Sequence, residues 1–412
     1  VNILFLTSRL PFPPVGGDRL RTFQFVRYLG RRHRVTIASF VEHEGEVEEA
    51  ARYRDLYHRL VPVVLPREQS HLNCLRGLAS SLPLQVHYYS SPRMRSVVAG
   101  ELARERYDAV VCHLIRMTKY LPEDGGVRTV VDFCDAISLL HQRNRALAPR
   151  FGLQPLINAV EAHRVESYER AAIARADASI FISGVDADHF RQTGLSRGVT
   201  VISNGVDTAQ FAFDAGPRDD NRIVFVGNMR TFPNTDAVVH FVEEVFPLIR
   251  KERPAARFEI VGNEPSKRVR ALHDGRSVVV TGRVDSVIPY VAGAALVVAP
   301  MRTCAGVQNK ILEALAVGTP VVTTTIGAEG LEPGILTIAD APQDFARAAL
   351  ELMNQPHLRR ERALVGRSYV EKHYTWEKSL ESLDSLLAGP RAGDDPVPRA
   401  TPPQVSGTSS SR

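Results

Sequence analysis

The stretch that decides the fold is Val297-Val298-Ala299-Pro300, then Met301 to Asn309, then Lys310-Ile311-Leu312-Glu313-Ala314-Leu315-Ala316-Val317-Gly318-Thr319-Pro320-Val321-Val322. It reads as strand, loop, helix, tight turn, strand. The apolar run stops at Pro300, and apolar residues then recur at helical spacing from Ile311. Gly318 and Pro320 punctuate the helix end, and a β-branched pair opens the next strand. A strand joined to a strand through a helix predicts parallel neighbours in one sheet. Gly306 precedes the helix start expected at Gln308 and leaves room for backbone N–H groups to approach an anion. A helix N-terminus carries about half a positive charge and free donors, which suits a diphosphate. Lys310 and Glu313 lie three apart, so they share a helix face. Lys310 could pair with a phosphate and Glu313 could accept from ribose hydroxyls; a surface ion pair reads equally from that spacing.

The same unit repeats outward in both directions. In the first half, strand candidates are Val1–Ser8, Arg34–Val41, Val61–Leu65, Ala109–His113, Thr129–Phe133, Ala178–Ser183 and Thr200–Ser203. In the second half they are Arg222–Val226, Arg257–Val261, Ser277–Thr281, Ala295–Ala299, Pro320–Thr324 and Ile335–Ile338. Most are continuously apolar, as expected for strands buried on both faces. The fold class is therefore α/β, with two Rossmann-like, doubly wound parallel-sheet domains facing across a cleft. The expected division is an acceptor-side domain over 1–205, a linker over 206–221, a donor domain over 222–370, and a C-terminal helix over 371–388 that could cross back to the first domain. The Gly-, Pro-, Ser- and Thr-rich tail, 389–412, is expected to be disordered. Open sheets of this kind bind ligands beyond the carboxyl ends of their strands, so a nucleotide-type ligand between the halves is the first expectation.

The 412 residues suit two or three domains, and 44% hydrophobic with 24% charged residues suits a globular protein. The four cysteines, Cys74, Cys112, Cys134 and Cys304, form no CxxC pair, against a disulfide scaffold or zinc knuckle. No apolar run approaches a membrane span. Val1–Leu6 has neither the basic start nor the cleavage site of a signal peptide, so a cytoplasmic protein is expected. Residues 1–205 hold 27 Lys and Arg against 21 Asp and Glu, whereas 206–388 hold 21 against 23. The basic half suggests peripheral contact with an anionic membrane surface on the inner face of the cytoplasmic membrane, or simply a solvated surface. No basic stripe with interleaved aromatics supports nucleic-acid binding. The first strand is not followed by GxGxxG, and no GxxxxGK[ST] occurs, against a dehydrogenase or a P-loop NTPase.

The segment around Lys310 resembles the donor-binding motif of glycosyltransferase family 4 (group 1), retaining enzymes of the GT-B fold. Other pieces agree in order: Pro14-Val15-Gly16-Gly17, Asp177-Ala178-Ser179-Ile180-Phe181-Ile182-Ser183, Val201-Ile202-Ser203-Asn204-Gly205-Val206-Asp207, Val224 to Gly227, and Tyr374-Thr375-Trp376. The resemblance covers about residues 1–387. It departs at Ala305, where the family's Glu-x7-Glu has its first Glu; the second maps to Glu313. The family's Arg and Lys after the first donor-domain strand map to Asn228 and Pro233, with Arg230 nearby. Arg302 and Lys310 instead look like those of a sugar-transferase subgroup associated with exosortase (PEP-CTERM) and exopolysaccharide loci.

The resemblance implies transfer of a sugar from a UDP- or GDP-linked donor to a saccharide or lipid-linked acceptor with retention, without a metal or other cofactor. The leaving diphosphate develops negative charge, and preorganised cations and backbone donors lower that barrier. The candidate catalytic residues are Lys310, Arg302, Arg230 and His113. Donor binding is expected at Glu313, Gly16, Gly17, Gly306, Val307, Gln308 and Asn309. Asp132 and Asp135 could bind acceptor hydroxyls or cap the next helix. Asn204 and Asp207 read as turn and hinge residues. Glu329 reads as a surface carboxylate or a residue near the nucleotide. Two other readings remain open: a catalytically degenerate nucleotide-sugar-binding subunit, motivated by Ala305, and a nucleotide-sugar epimerase of the same fold.

Overall fold

Continuous apolar runs become the central strands, because a parallel strand covered by helices on both faces has no side that meets water. The computed structural model describes residues 1–14, 16–123, 126–147, 153–332 and 334–389. Val15 of the first glycine loop and the tail from 390 lie outside them.

The first sheet contains β1 (Asn2–Thr7), β2 (Arg34–Val41), β3 (Arg59–Val64), β4 (Ala109–His113), β5 (Arg128–Cys134), β6 (Ala178–Phe181) and β7 (Val199–Val201). Its order is β3-β2-β1-β4-β5-β6-β7, and every pairing is parallel. The second contains β8 (Asp219–Val226), β9 (Arg257–Val261), β10 (Val278–Gly282), β11 (Ala294–Ala299), β12 (Val321–Thr323) and β13 (Thr337–Ile338). Its order is β10-β9-β8-β11-β12-β13, again parallel throughout. The strand order reverses between β1 and β4 in one lobe and between β8 and β11 in the other. Beyond the carboxyl ends at those two points, loops diverge and leave room for a ligand.

Two boundaries differ from the sequence reading. The second sheet begins at Asp219, inside the expected linker, because the acidic run that reads as solvated chain is neutralised in place. Asp219 pairs with Arg257 and Asp220 with Arg359, so the polar start of β8 joins the sheet. The division at 370/371 falls inside one helix, Pro356–His373. The chain then returns to the first lobe through short helices, Trp376–Leu380 and Leu383–Ala388. Trp376, Leu380, Leu383 and Leu387 are buried in the first lobe's core with Phe25, Leu29 and Val35. The two crossings run side by side, since Val206 bridges Thr375 and its N–H donates to the Tyr374 carbonyl at 2.7 Å.

Candidate functional site

The helix Gly17–Gly30 buries a face that includes Phe25 and Leu29, and Arg21 falls on that same face. A buried guanidinium requires partners. Arg21 donates from Nε to Asp132 Oδ2 at 2.9 Å and from Nη2 to Asp132 Oδ1 at 2.8 Å. It also donates to the Ile202 carbonyl at 3.0 Å and from Nη1 to Asn204 Oδ1 at 2.9 Å. Its guanidinium lies 4.8 Å from the centroid of the Phe25 ring. Asp132, on β5, also meets His113 at the end of β4, Nδ1 to Oδ2, at 2.9 Å. Burial alone would raise the Asp132 carboxyl; the Arg21 charge and the His113 and Arg21 hydrogen bonds overcome it and hold the group well below the usual range. An ionised carboxylate only accepts, so His113 Nδ1 carries the proton. Nε2 of His113 is buried and has no partner.

Immediately beyond these side chains the backbone is strained. Leu114 and Cys134 take φ of 72° and 64°, in the left-handed region that residues other than glycine seldom adopt. His113, Asp132 and Cys134 also offer three donor atoms within 4.8 Å of one another. They suit an ion-pair network better than a metal. The Arg21 fork occupies both Asp132 oxygens, and burial, then the Asp132 charge, raises the Cys134 thiol well above its usual value.

The next residues of the same loop reach the other lobe. Asp186, near the start of helix Gly184–Arg191, accepts from Ala136 N at 3.0 Å and from Gly306 N at 3.1 Å. Asp135 lies against Gly306. A Cβ on Gly306 would stand 2.2 Å from Asp135 Oδ1, and its φ of 65° also favours glycine. Burial first, then the charge of Asp186, pushes the Asp135 carboxyl up to about 7. Three further contacts join the lobes here. Arg143 forms a two-pronged pair with Glu329, 2.8 Å on each side, and donates to the Cys304 carbonyl at 2.7 Å. Thr303 donates to Asn144 at 2.7 Å. Asn204 Nδ2 donates to Asn309 Oδ1 at 2.9 Å.

Asn309 opens the helix Asn309–Val317, whose N-terminus has no side-chain cap. Gln308, the residue before it, turns its amide back to the Ala305 and Gly306 carbonyls. Lys310 is buried. It donates to Asn234 at 2.6 Å and lies 4.3 Å from the centroid of Phe225. Burial lowers it to about 8, opposed by the charges of Cys304 and Glu313. Half-buried Glu313 is raised to about 7 by burial, with Lys310 opposing.

The structure therefore gathers Gly306 and Asn309 against the first lobe, and joins Asn309 through Asn204 to Arg21, Asp132 and His113. The Gly306 amide donates to Asp186 of the first lobe, and Val307 is buried in a cluster that includes Leu114, Cys134 and Ile182 of that lobe. Arg302 is held by Asp236, Nε to Oδ2 at 2.9 Å. Arg230 is exposed, 3.5 Å from Glu264, in the loops just beyond the carboxyl ends of β8 and β9. Gly16 and Gly17 open the first helix, and a Cβ on Gly17 would meet nothing within 4 Å. Arg21, Arg143 and Asp186 escaped the sequence reading. Arg21 left one signal: a charged residue in register with Phe25 and Tyr28 on an otherwise apolar face.

Comparison with known proteins agrees with this architecture. Residues 220–355 match the family model described as glycosyl transferases group 1. An uncharacterised 44.6 kDa protein in the cps region of Klebsiella pneumoniae is 23% identical over 404 residues, 93% of this chain and 98% of that protein. A GDP-mannose-dependent monoacylated alpha-(1-6)-phosphatidylinositol monomannoside mannosyltransferase of Corynebacterium glutamicum is 27% identical over 214 residues, 45% of this chain and 55% of that enzyme. The crystal structure of Anabaena HepE with UDP and glucose superposes with a TM-score of 0.65 at 14% identity, covering 94% of this chain and 100% of HepE. Residues 220–355 thus match the group 1 glycosyltransferase model, and the described residues have the two-lobed GT-B fold.

Proposed function

We propose that the protein is a retaining glycosyltransferase that moves a sugar from a UDP- or GDP-linked donor to a saccharide or lipid-linked acceptor, in exopolysaccharide or cell-envelope glycan synthesis. One observation carries this reading: the uncapped N-terminus of helix Asn309–Val317, with Lys310 buried beside it, meets the lobe that holds the unpartnered Nε2 of His113. Support also comes from the GDP-mannose dependence of the Corynebacterium enzyme and from the UDP and glucose in the HepE structure.

In this reading the donor diphosphate lies at the helix N-terminus, where free N–H groups and the helix dipole stabilise the charge that grows as the nucleotide leaves. Lys310 adds a cation that burial has made responsive to an arriving phosphate. Glu313 accepts hydrogen bonds from the ribose. Nε2 of His113 accepts from a sugar hydroxyl, because Asp132 fixes the proton on Nδ1. Retention is served by the leaving phosphate itself taking the acceptor proton, and the residues supply positions rather than a separate base. The carboxylate missing at Ala305 has a neighbour in Asp135, which reaches Gly306 from the opposite lobe. No helix of the described residues is long and apolar enough to cross a membrane; we place the protein in the cytoplasm, peripheral to the membrane.

The test is turnover of purified protein with a panel of UDP- and GDP-sugars and with soluble and lipid-linked acceptors. Acceptor-dependent nucleotide release, with a product that keeps the donor's anomeric configuration, is expected. Tight nucleotide binding without turnover on any pair would replace this reading with a binding subunit.

A further inference from the structure

A buried ammonium is ordinarily paired with a carboxylate. Lys310 is not. Among the described residues its Nζ meets the side-chain oxygen of Asn234 at 2.6 Å, the Met301 sulfur at 3.8 Å and the face of the Phe225 ring. The titratable groups that face it are Glu313, on the same helix, and the Cys304 thiol, on the preceding loop, and neither is hydrogen-bonded to it. Asp236, two residues beyond Asn234, is engaged by Arg302.

Asn234 is fixed in the orientation that this bond needs. Its Nδ2 donates to the Asn228 carbonyl at 2.9 Å, so its oxygen is the end left for the ammonium. Gly227 lies against the same amide: a Cβ there would stand 2.8 Å from Nδ2. Asn234 belongs to the first turn of the helix Phe232–His240, which, like Asn309–Val317, starts without a side-chain cap. The bond therefore joins the first turns of two helices and draws the ammonium to the loop beyond the carboxyl end of β8. Residues 227–236 bring one cation of their own to that loop, Arg230, which is exposed and faces Glu264. Two positive helix ends and an ammonium on a neutral amide favour an anion between them.

We infer that Asn234 is a positioning residue: it holds the Lys310 ammonium at the β8 loop, ready for the donor diphosphate, without neutralising it. An aspartate at this position would pair with the ammonium and compete with the phosphate, and an alanine would release it. The diphosphate in this statement rests on the proposed function; the hold on the ammonium does not.

The experiment follows the titration of Lys310 by NMR in the full chain, with isotope-labelled lysine and no nucleotide. The chain has six lysines, and the Lys310 signal is the one lost in Lys310→Met. Burial places the wild-type midpoint at about 8. Asn234→Ala should move it down by about one pH unit, the contribution of one hydrogen bond to a charged group. Asn234→Asp should move it up by about one to three units, the effect of an adjacent opposite charge. A residue that only shaped the turn would change the urea midpoint and leave this titration in place. UDP and GDP affinities of the same proteins are then measured by calorimetry. At about pH 9 Asn234→Ala should lose up to about tenfold, and near neutral pH Asn234→Asp should lose more than Asn234→Ala. Titration midpoints that coincide in the three proteins, or that move in the same direction, would overturn the inference. Midpoints that move as expected while nucleotide affinity ignores both changes would overturn the part Asn234 takes in donor binding. Wild-type protein that binds neither nucleotide, with midpoints that still move apart, would remove the donor reading and keep the hold on the ammonium.

Discussion

Replacing Arg21 by Met tests the centre of the candidate site. Arg21 and Asp132 are both essentially inaccessible, and the guanidinium supplies three hydrogen bonds to that carboxylate, one to Asn204 and one to a backbone carbonyl. Methionine matches the stem but leaves the Asp132 charge buried with His113 as its remaining strong partner. Breaking a buried pair from one side costs about 3–5 kcal/mol. For a lobe of roughly 200 residues, about 2–4 °C is lost per kcal/mol, so the midpoint should fall by about 6–20 °C. Removing both charges, as in Arg21→Met/Asp132→Leu, should cost much less than the two single changes added together, with a coupling of at least ~2 kcal/mol. The sole tryptophan, Trp376, is buried in the first lobe's core and reports its unfolding. Urea titrations followed by its fluorescence, with the slope unchanged between variants, give the four corners of the cycle. A loss below ~1 kcal/mol for Arg21→Met, or single costs that simply add, would refute the view that this ion pair organises the site.

Lys310 is held near 8 by burial, so a bound diphosphate must draw a proton onto it above that pH. UDP affinity measured calorimetrically should fall by up to about tenfold per pH unit beyond 8, and Lys310→Met should lose both the affinity and this slope; a flat wild-type profile from neutral to strongly alkaline pH would count against the site. Asp135 and Glu169 are both raised to about 7, chiefly by burial, so the folded state favours their protonated forms. Unfolded carboxyls ionise near 4, so this contribution is full below pH ~4 and is lost as pH rises to ~7; Asp135→Asn should flatten that part of the urea-midpoint profile, and an unchanged slope would contradict it. Arg143→Ala removes the paired contact to Glu329, and Gly306→Ala places a methyl against Asp135. Both should open the lobes, read as a larger radius of gyration in small-angle scattering and a raised donor KM, whereas unchanged scattering would show that these contacts do not hold the closed form.

The strands were legible because burial on both faces leaves a local mark, an unbroken apolar run such as Leu296–Ala299. The helix Asn309–Val317 announced itself by periodicity and by the Gly318 stop, where φ is 85°. Lys310 and Glu313 could be placed on one face from their spacing alone. The contacts that assemble the site were not legible, because each joins residues far apart in the chain: 111 positions for Arg21 and Asp132, 186 for Arg143 and Glu329. Charged residues on a helix read as solvent-facing unless a distant partner is known. Arg302 shows the same limit. Its sequence did not reveal the carboxylate it meets, Asp236, 66 residues earlier.

The connectivity of the polar contacts ties lobe closure to the preparation of His113. Arg21 orients Asp132, which fixes the His113 proton, and the same guanidinium holds Asn204 at the hinge. Asn204 in turn holds Asn309, the first residue of the helix that we propose receives the diphosphate. A neutral hydrogen bond contributes about 0.5–1.5 kcal/mol, so Asn204–Asn309 alone would not keep the lobes together. With the Asp186–Gly306 and Arg143–Glu329 contacts the total reaches a few kcal/mol, and 2–3 kcal/mol already shifts an open–closed equilibrium by roughly 30- to 150-fold. That range favours closure while leaving it reversible, as product release requires. A nucleotide bound at the Asn309 helix would bias the same equilibrium further to the extent that it also touches the first lobe, where Nε2 of His113 is unpartnered. Donor arrival would then favour the closed form before an acceptor enters, and hydrolysis of the donor by stray water would be limited by the same geometry.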